Sequence, residues 1–325
     1  MERFAQSLLR GTERVLTWRL RRKARRHLRQ SRKNPVIDWI EAFLQAAVLV
    51  LIINQYLLQA YQIPSGSMID TLLLGDRIFV NKVVYGPELL PGVGKLPGLA
   101  EPERSEVVVF ENPSYISRGT LFTILQRVLY MVTLSLVDID RDESGQPRAQ
   151  LLIKRAVGAD GDRFRIEQGD MLVLPVGAAS WMPESVLIER TGAGYRPQRL
   201  LDADDYDTIA AGGAALSRRD LELPAQPGDA EAVEALRALG FGDPFALERA
   251  REGANYAARA DNSRLRQRIQ FIRTGWYVPD GRVFPLGDNR DNSRDGRYFG
   301  AVRDTDVLGR AMLIYWPFNR AGAIR

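Results

Sequence analysis

The spacing of apolar and polar residues changes character several times along the chain. From Val36 to Ala60 it reads VIDWIEAFLQAAVLVLIINQYLLQA, with no charge between Ala42 and Leu58. About 20 apolar residues cross the hydrocarbon core of a bilayer. This stretch therefore predicts a membrane-spanning helix, weakened but not abolished by Gln45, Asn54 and Gln55. A second apolar stretch, Thr120 to Val137, carries Gln126 and Arg127 near its middle. A central Arg is expensive in a span, so an amphipathic helix is expected, packed on the core or lying in the outer membrane interface. DRIFVNKVVYG and SEVVVFENP, within 75–90 and 104–112, have β-branched runs bounded by turn residues and predict strands. AQLLIKRAVGADGDRFRIEQGDMLVLPVG predicts three more, separated by Gly/Asp turns. Between 178 and 275, segments such as DAEAVEALRAL and PFALERAREGANYAARA have helical spacing, and the β pattern returns at Gly275.

The expected organisation is mainly β. A basic arm (1–34) and a transmembrane anchor (35–60) precede a β-rich domain in two parts, 61–177 and 276–325, divided by a partly helical insertion at 178–275. The net charge of +5 hides an asymmetry: residues 1–34 hold 12 Lys/Arg against 2 Asp/Glu, which leaves the rest of the chain acidic. An arm of this kind suits nucleic acid or anionic lipid, and the apolar span that follows favours lipid, so no nucleic-acid partner is expected. The positive-inside rule places the arm in the cytoplasm and the chain beyond about residue 61 outside. A cleavable leader would have a shorter apolar region and a small-residue exit, whereas the exit here is LLQAYQI.

Candidate chemistry begins with YQIPSGSMID, where Ser65 and Ser67 flank Gly66 in a turn just beyond the span. Glycine there lets the backbone turn tightly. A serine nucleophile needs a base. The chain has no cysteine, and its single histidine, His27, lies in the arm on the other side of the span. A Ser-His-Asp triad is thereby excluded, leaving carboxylates and lysines. Outside the arm the lysines are Lys82, Lys95 and Lys154. Lys95 sits in a Pro/Gly loop and is expected to be solvated, and Lys82 follows a strand and is expected to be exposed. Lys154 is set among Leu151, Leu152, Ile153, Ala156 and Val157, where burial would lower its pKa and make it a base. The same local sequence also reads as a snorkelling lysine on a half-buried strand, and the two serines as ordinary turn residues after Pro64.

IPSGSM with TLLLGDRIFVNKVVYG, IKRAVGADGD and GDNRDNSRDGRYFG, in that order, resembles bacterial type I signal peptidase (leader peptidase), a Ser-Lys serine endopeptidase family. The resemblance covers about 61–90, 104–112, 150–173 and 276–317 and implies a largely antiparallel β architecture. It implies an enzyme that removes signal peptides from exported preproteins on the outer side of the bacterial cytoplasmic membrane. Ser67 would be the nucleophile and Lys154 the general base. Ser65 and the Ser67 N–H would form the oxyanion hole, and Ser293 would orient the lysine. Asp295 and Arg297 would form a structural ion pair, with Asp288 in the same turn. Strand addition beside Tyr61, Ile63, Pro64, Leu152 and Ile153 would dock an extended substrate with small residues at −1 and −3. The implied partners are signal peptides, the bilayer and the export translocon. No cofactor or metal is expected, since the acidic order in GDNRDNSRDGR lacks EF-hand spacing.

Departures from the family pattern are Asp70 in place of a proline, Leu152 in place of a frequent tyrosine, Arg104-Ser105-Glu106 for RGD and Asp295-Gly296-Arg297 for DSR. Asp70 matters most, because an acid near the nucleophile would stabilise an ammonium. The alternatives are an inactive membrane-anchored scaffold, or a Ser-Lys peptidase dedicated to one partner.

Overall fold

The computed structural model describes residues 16–18, 20–21, 35–89, 94–133, 137–141, 145, 148–240 and 242–324. Nearly all of the basic arm, His27 included, and residues 134–136 of the second apolar stretch lie outside the described residues. The chain divides into a unit ending at Leu51 and a compact unit from Ile52 to Arg325.

Helix α1, Pro35–Tyr56, has 22 residues and exposes its apolar side chains on all sides. At 1.5 Å per residue it is about 33 Å long, enough to cross a bilayer. It is the one described helix both long and apolar enough to do so. The apolar run does not end with it: residues 58–60 begin strand β1 (Leu58–Gln62), so one hydrophobic stretch serves two elements.

The strands that follow are β2 (Arg77–Asn81), β3 (Val107–Glu111), β4 (Leu151–Gly158), β9 (Arg282–Leu286), β10 (Val302–Arg303), β11 (Val307–Trp316) and β12 (Gly322–Ala323). They form one antiparallel sheet in the order β1-β2-β11-β3-β4-β9-β10, with β12 added to β11. A smaller antiparallel sheet joins β7 (Met182–Pro183), β6 (Asp170–Leu174), β5 (Arg163–Glu167) and β8 (Trp276–Tyr277). Register shifts interrupt β11 against both β2 and β3, and bulges of this kind bend and twist a sheet.

The unbroken apolar run of β3 is explained by burial on both faces. Val107 and Val109 pack with Ile63, Met68, Leu72, Ile78 and Val80, while Val108 and Phe110 pack with Tyr85, Ala156, Val283 and Val307. A third cluster joins the two sheets through Phe164 and Phe284, stacked 4.7 Å apart, with Val173 and Trp276.

Helix α2 runs Thr120–Val132 between β3 and β4. Arg127 on it pairs with Glu88 at 2.7 Å and Glu111 at 3.0 Å, while Leu121, Leu125 and Val132 are exposed. Between β7 and β8 lie five helices: α3 (Glu184–Thr191), α4 (Ala203–Asp220), α5 (Asp229–Ala238), α6 (Pro244–Ala258) and α7 (Ser263–Thr274). Asp243 caps α6 by accepting the Phe245 and Ala246 N–H groups, with Pro244 in the first helical position.

Candidate active site

The turn between β1 and β2 carries both candidate serines. It is pinned from below by Met68 and Leu72, which are fully buried, and closed by backbone bonds from Ile63 N–H to Asp76 O and from Gly75 N–H to Ile63 O. Asp76 accepts the Leu73 N–H and pairs with Arg320 at 3.0 Å. From the opposite side, the Asn289 N–H donates to Ser67 O at 3.1 Å and Asn289 Nδ2 donates to Gly66 O at 3.1 Å. The turn is thus held on both sides by groups that cannot slide. Gly66 does not use left-handed backbone, but a Cβ there would meet Ile69 Cδ1 at 2.8 Å; at Gly287 one would stand 2.1 Å from Ser293 Oγ and 2.6 Å from Ser67 O.

Lys154 reaches this turn from β4. Its Nζ donates to Ser67 Oγ at 2.6 Å and to its neighbour's carbonyl, Ile153 O, at 3.0 Å. Ser67 is 7% exposed and Lys154 3%. Burial pushes the Lys154 ammonium down to about 8; the carboxylates of Asp295 and Asp288 pull it back up, and Arg297 adds to the lowering. Asp70 is not among these charges. It is exposed, and its carboxylate accepts a hydrogen bond from Gln198 Nε2.

The 287–297 turn frames the pair. Arg297 Nε donates to Asp295 Oδ1 at 2.9 Å, and Asp295 Oδ2 accepts the Gly287 N–H at 3.0 Å. Burial raises the Asp295 pKa, but the Arg297 guanidinium, the Gly287 N–H and the Ser293 hydroxyl together outweigh it and hold the carboxyl below its usual range. Asp288 receives Arg155 in a two-pronged contact (Nε 2.8 Å, Nη2 2.6 Å) and Thr71 Oγ1 at 2.5 Å. Ser293 is buried beside Gly287 and interacts with the Asp295 carboxylate; the Lys154 amine donates to Ser67 and Ile153 rather than to it. Ser65 is exposed on the rim of the turn.

A cleft of about 400 Å³ leads away from the serine turn. Tyr61, Ile63, Pro64, Leu152 and Ile153 all border it, as do Leu151, Ile78 and Val109. Strand alternation divides β4: Leu151 and Ile153 pack on the Ile63–Ile78 side, whereas Leu152 also packs with Val84 and Phe299 on the other face. Helix α2 supplies Gln126, Arg127 and Tyr130 to the wall, which no sequence motif announced.

Two lysine expectations fail. Lys82 is buried, not exposed, because the inward alternation of Ile78 and Val80 continues to it; burial lowers its pKa to about 8. Lys95 is not a solvated loop residue. Its Nζ donates to Val307 O at 2.6 Å, and partial burial lowers its pKa. Arg155, fully buried beside Lys154, and Asn289 were also missed as framework residues; the positions next to Lys154 and Asp288 were the only available signal.

An amine poised on a buried serine hydroxyl, next in sequence to residues that line a cleft (Ile63 and Pro64 on one side, Ile153 on the other), is an arrangement suited to peptide hydrolysis. A family model described as signal peptidase, peptidase S26, matches residues 36–212 and 225–316, and the chain belongs to this family of peptidases. Its relatives include proteins named signal peptidase I from Pseudomonas fluorescens (27% identical, covering 90% of this chain and 81% of that protein) and Aquifex aeolicus (28%, covering 85% and 82%). A third, from Haemophilus influenzae, is 28% identical over 87% of this chain and 70% of its own length.

Proposed function

We propose that this peptidase removes N-terminal signal peptides from exported preproteins by Ser-Lys catalysis. The observation that carries the reading is the 2.6 Å contact between Lys154 Nζ and Ser67 Oγ, made by a lysine whose pKa is brought down to about 8. An ordinary lysine near 10.4 is neutral in only about 0.04% of molecules at pH 7, against about a tenth here. Neutral Lys154 takes the Ser67 proton as Oγ attacks the scissile carbonyl, and the resulting ammonium protonates the leaving amine. The acyl-enzyme is then hydrolysed by water activated by the same amine. Ser65 Oγ and the Ser67 N–H stabilise the oxyanion, and Ser293, which meets the Asp295 carboxylate, belongs to the framework that orients the lysine. The apolar catalytic end of the cleft, at Ile63, Ile78 and Ile153, suits small residues at −1 and −3.

Helix α1 anchors the protein in the bacterial cytoplasmic membrane, with the arm in the cytoplasm and the catalytic unit on the outer side. Preproteins reach it from the export translocon.

The test is cleavage of a preprotein with an Ala-x-Ala site by the detergent-solubilised protein and by Ser67→Ala and Lys154→Ala. Cleavage after the final Ala by the unaltered protein alone is expected. Cleavage by either variant would overturn the assignment of that residue. Ser65→Ala is expected to lower kcat by about 10²- to 10³-fold.

A further inference from the structure

The cleft has two ends of different chemistry. Near Ser67 it is walled by apolar side chains. Away from Ile63 and Pro64 its lining is polar: Gln55, Gln59, Lys82, Gln126 and Arg127, with Asp138, Arg141 and Arg148 also on the wall. Most of these polar groups are already satisfied. Arg127 is held through Nη1 by Glu88 and through Nη2 by Glu111, with its Nε unpartnered among the described residues; Gln126 Nε2 donates to Asp138 at 3.0 Å, and Gln55 Nε2 donates to Glu88 O at 3.0 Å.

Two have capacity to spare. The Gln59 side chain, from a residue 7% exposed, borders the cleft and is engaged by no side-chain hydrogen bond among the described residues. Lys82, 5% exposed, makes one long contact, 3.4 Å to Gln55 O, and has no ion pair among the described residues. An ammonium has three donors and an amide four hydrogen-bonding sites. Both side chains border the cleft, so their spare hydrogen-bonding capacity is offered to what the cleft binds.

The strand period says which part of a substrate arrives there. Gln59, Tyr61 and Ile63 follow one another at two-residue spacing along the cleft, roughly 6.6 Å per step. An extended peptide beside them keeps the same period. With residue −1 at Ile63, residue −3 meets Tyr61 and residue −5 meets Gln59 and the Lys82 ammonium. We propose that Gln59 and Lys82 form a subsite for the substrate residue five positions before the scissile bond, taking acceptor-bearing side chains (carboxylate, amide or hydroxyl) and rejecting Lys and Arg. This rests on the signal-peptide reading above and adds a selection separate from small residues at −1 and −3. Its physical basis is a partly desolvated positive charge, whose like-charge repulsion is not screened as it would be on an open surface.

Binding separates this proposal from the catalytic one. Fluorescent peptides spanning the cleavage site, identical except for Glu, Gln or Lys at −5, are titrated onto the full chain carrying Ser67→Ala in detergent. The expected order is Glu, then Gln, then Lys, with Lys weaker than Glu on the order of tenfold. Lys82→Met should flatten the order. Gln59→Glu, which keeps the lysine and so guards against a misfolded Lys82 variant, should move it towards Lys. Equal affinities for the three peptides, or a Glu preference that survives Lys82→Met, would overturn the subsite. The dyad is judged separately: preprotein cleavage surviving Ser67→Ala would refute it and leave the binding order standing.

Discussion

Lys154 shows how the proposed chemistry opposes stability within a single side chain. Its folded pKa, about 8, lies below the 10.5 of a free lysine, so the folded state binds the proton more weakly than the unfolded one. Below pH 8 this disfavours folding by up to about 3 kcal/mol; the penalty fades between pH 8 and 10.5 and is gone above. Lys154→Met should therefore be inactive yet more stable at pH 7, by as much as about 3 kcal/mol in urea unfolding, with the gain vanishing above pH 10.5. In the unaltered enzyme kcat/KM should rise with pH through an apparent pKa near 8, and a flat profile from pH 6 to 9 would contradict Lys154 as the base. Ser105 offers a second residue-scale test. It holds φ at +76° where the resembled family has glycine, and its carbonyl accepts Arg155 Nη1 at 2.7 Å. Ser105→Gly keeps that backbone contact and removes the Cβ conflict, so thermal unfolding should show a gain of about 1 kcal/mol. Lys154 was legible in sequence because its apolar neighbours announce burial. Lys82 was not, because it lies one residue past the end of β2, and a lysine there suggests exposure even though the Ile78–Val80 inward alternation continues to it.

At the scale of elements, the helical segment between β7 and β8 takes part in the site's framework. Gln198 pairs with the 287–297 turn through its N–H to Asp288 O at 2.7 Å and through its own carbonyl, which accepts the Arg290 N–H at 3.1 Å. Asp291 accepts the N–H groups of Leu200 and Leu201 and the Tyr206 hydroxyl. Glu184, at the start of α3, pairs with Arg290 in a contact buried on both sides, and Tyr195 OH donates to Glu184 at 2.9 Å. Removing one partner of a buried pair leaves an uncompensated charge and typically costs about 3–5 kcal/mol. Glu184→Ala should lower the unfolding free energy by that order, whereas Glu234→Ala, which breaks an exposed pair with Arg237, should change it by less than about 0.5 kcal/mol. Chemical denaturation of both variants checks the contrast. The helices themselves were legible from residue spacing. Their attachment was not: Gln198 meets Asn289 across 91 positions in a parallel bridge, and no local pattern encodes a partner that distant. The end of the anchor was obscured for the opposite reason, since helix and strand both want apolar residues and one run supplies both.

For the whole molecule, the decisive question is which side of a membrane each part occupies. The proposed orientation rests on charge: an arm of net +10 precedes α1, and the chain that follows is net acidic. The cytoplasmic leaflet attracts basic segments by about 1 kcal/mol per residue near the surface, and translocating a cluster of that size is disfavoured. An enzyme acting on exported chains, as proposed, meets its substrate after translocation, so charge and proposed chemistry favour the same orientation. The absence of cysteine makes this directly measurable, because any single introduced thiol is the only one in the chain. Ser180→Cys, at an exposed position between β6 and β7, should react with a membrane-impermeant maleimide added to sealed spheroplasts. Ser7→Cys, in the arm, should react only after detergent is added. The reverse pattern would place the serine turn in the cytoplasm. Exported preproteins would then be out of reach, and His27 would lie across the membrane from Ser67 as before, so Lys154 would keep its place as base while the substrate assignment fell. Labelling of both thiols in sealed spheroplasts would instead mean that α1 does not span the membrane.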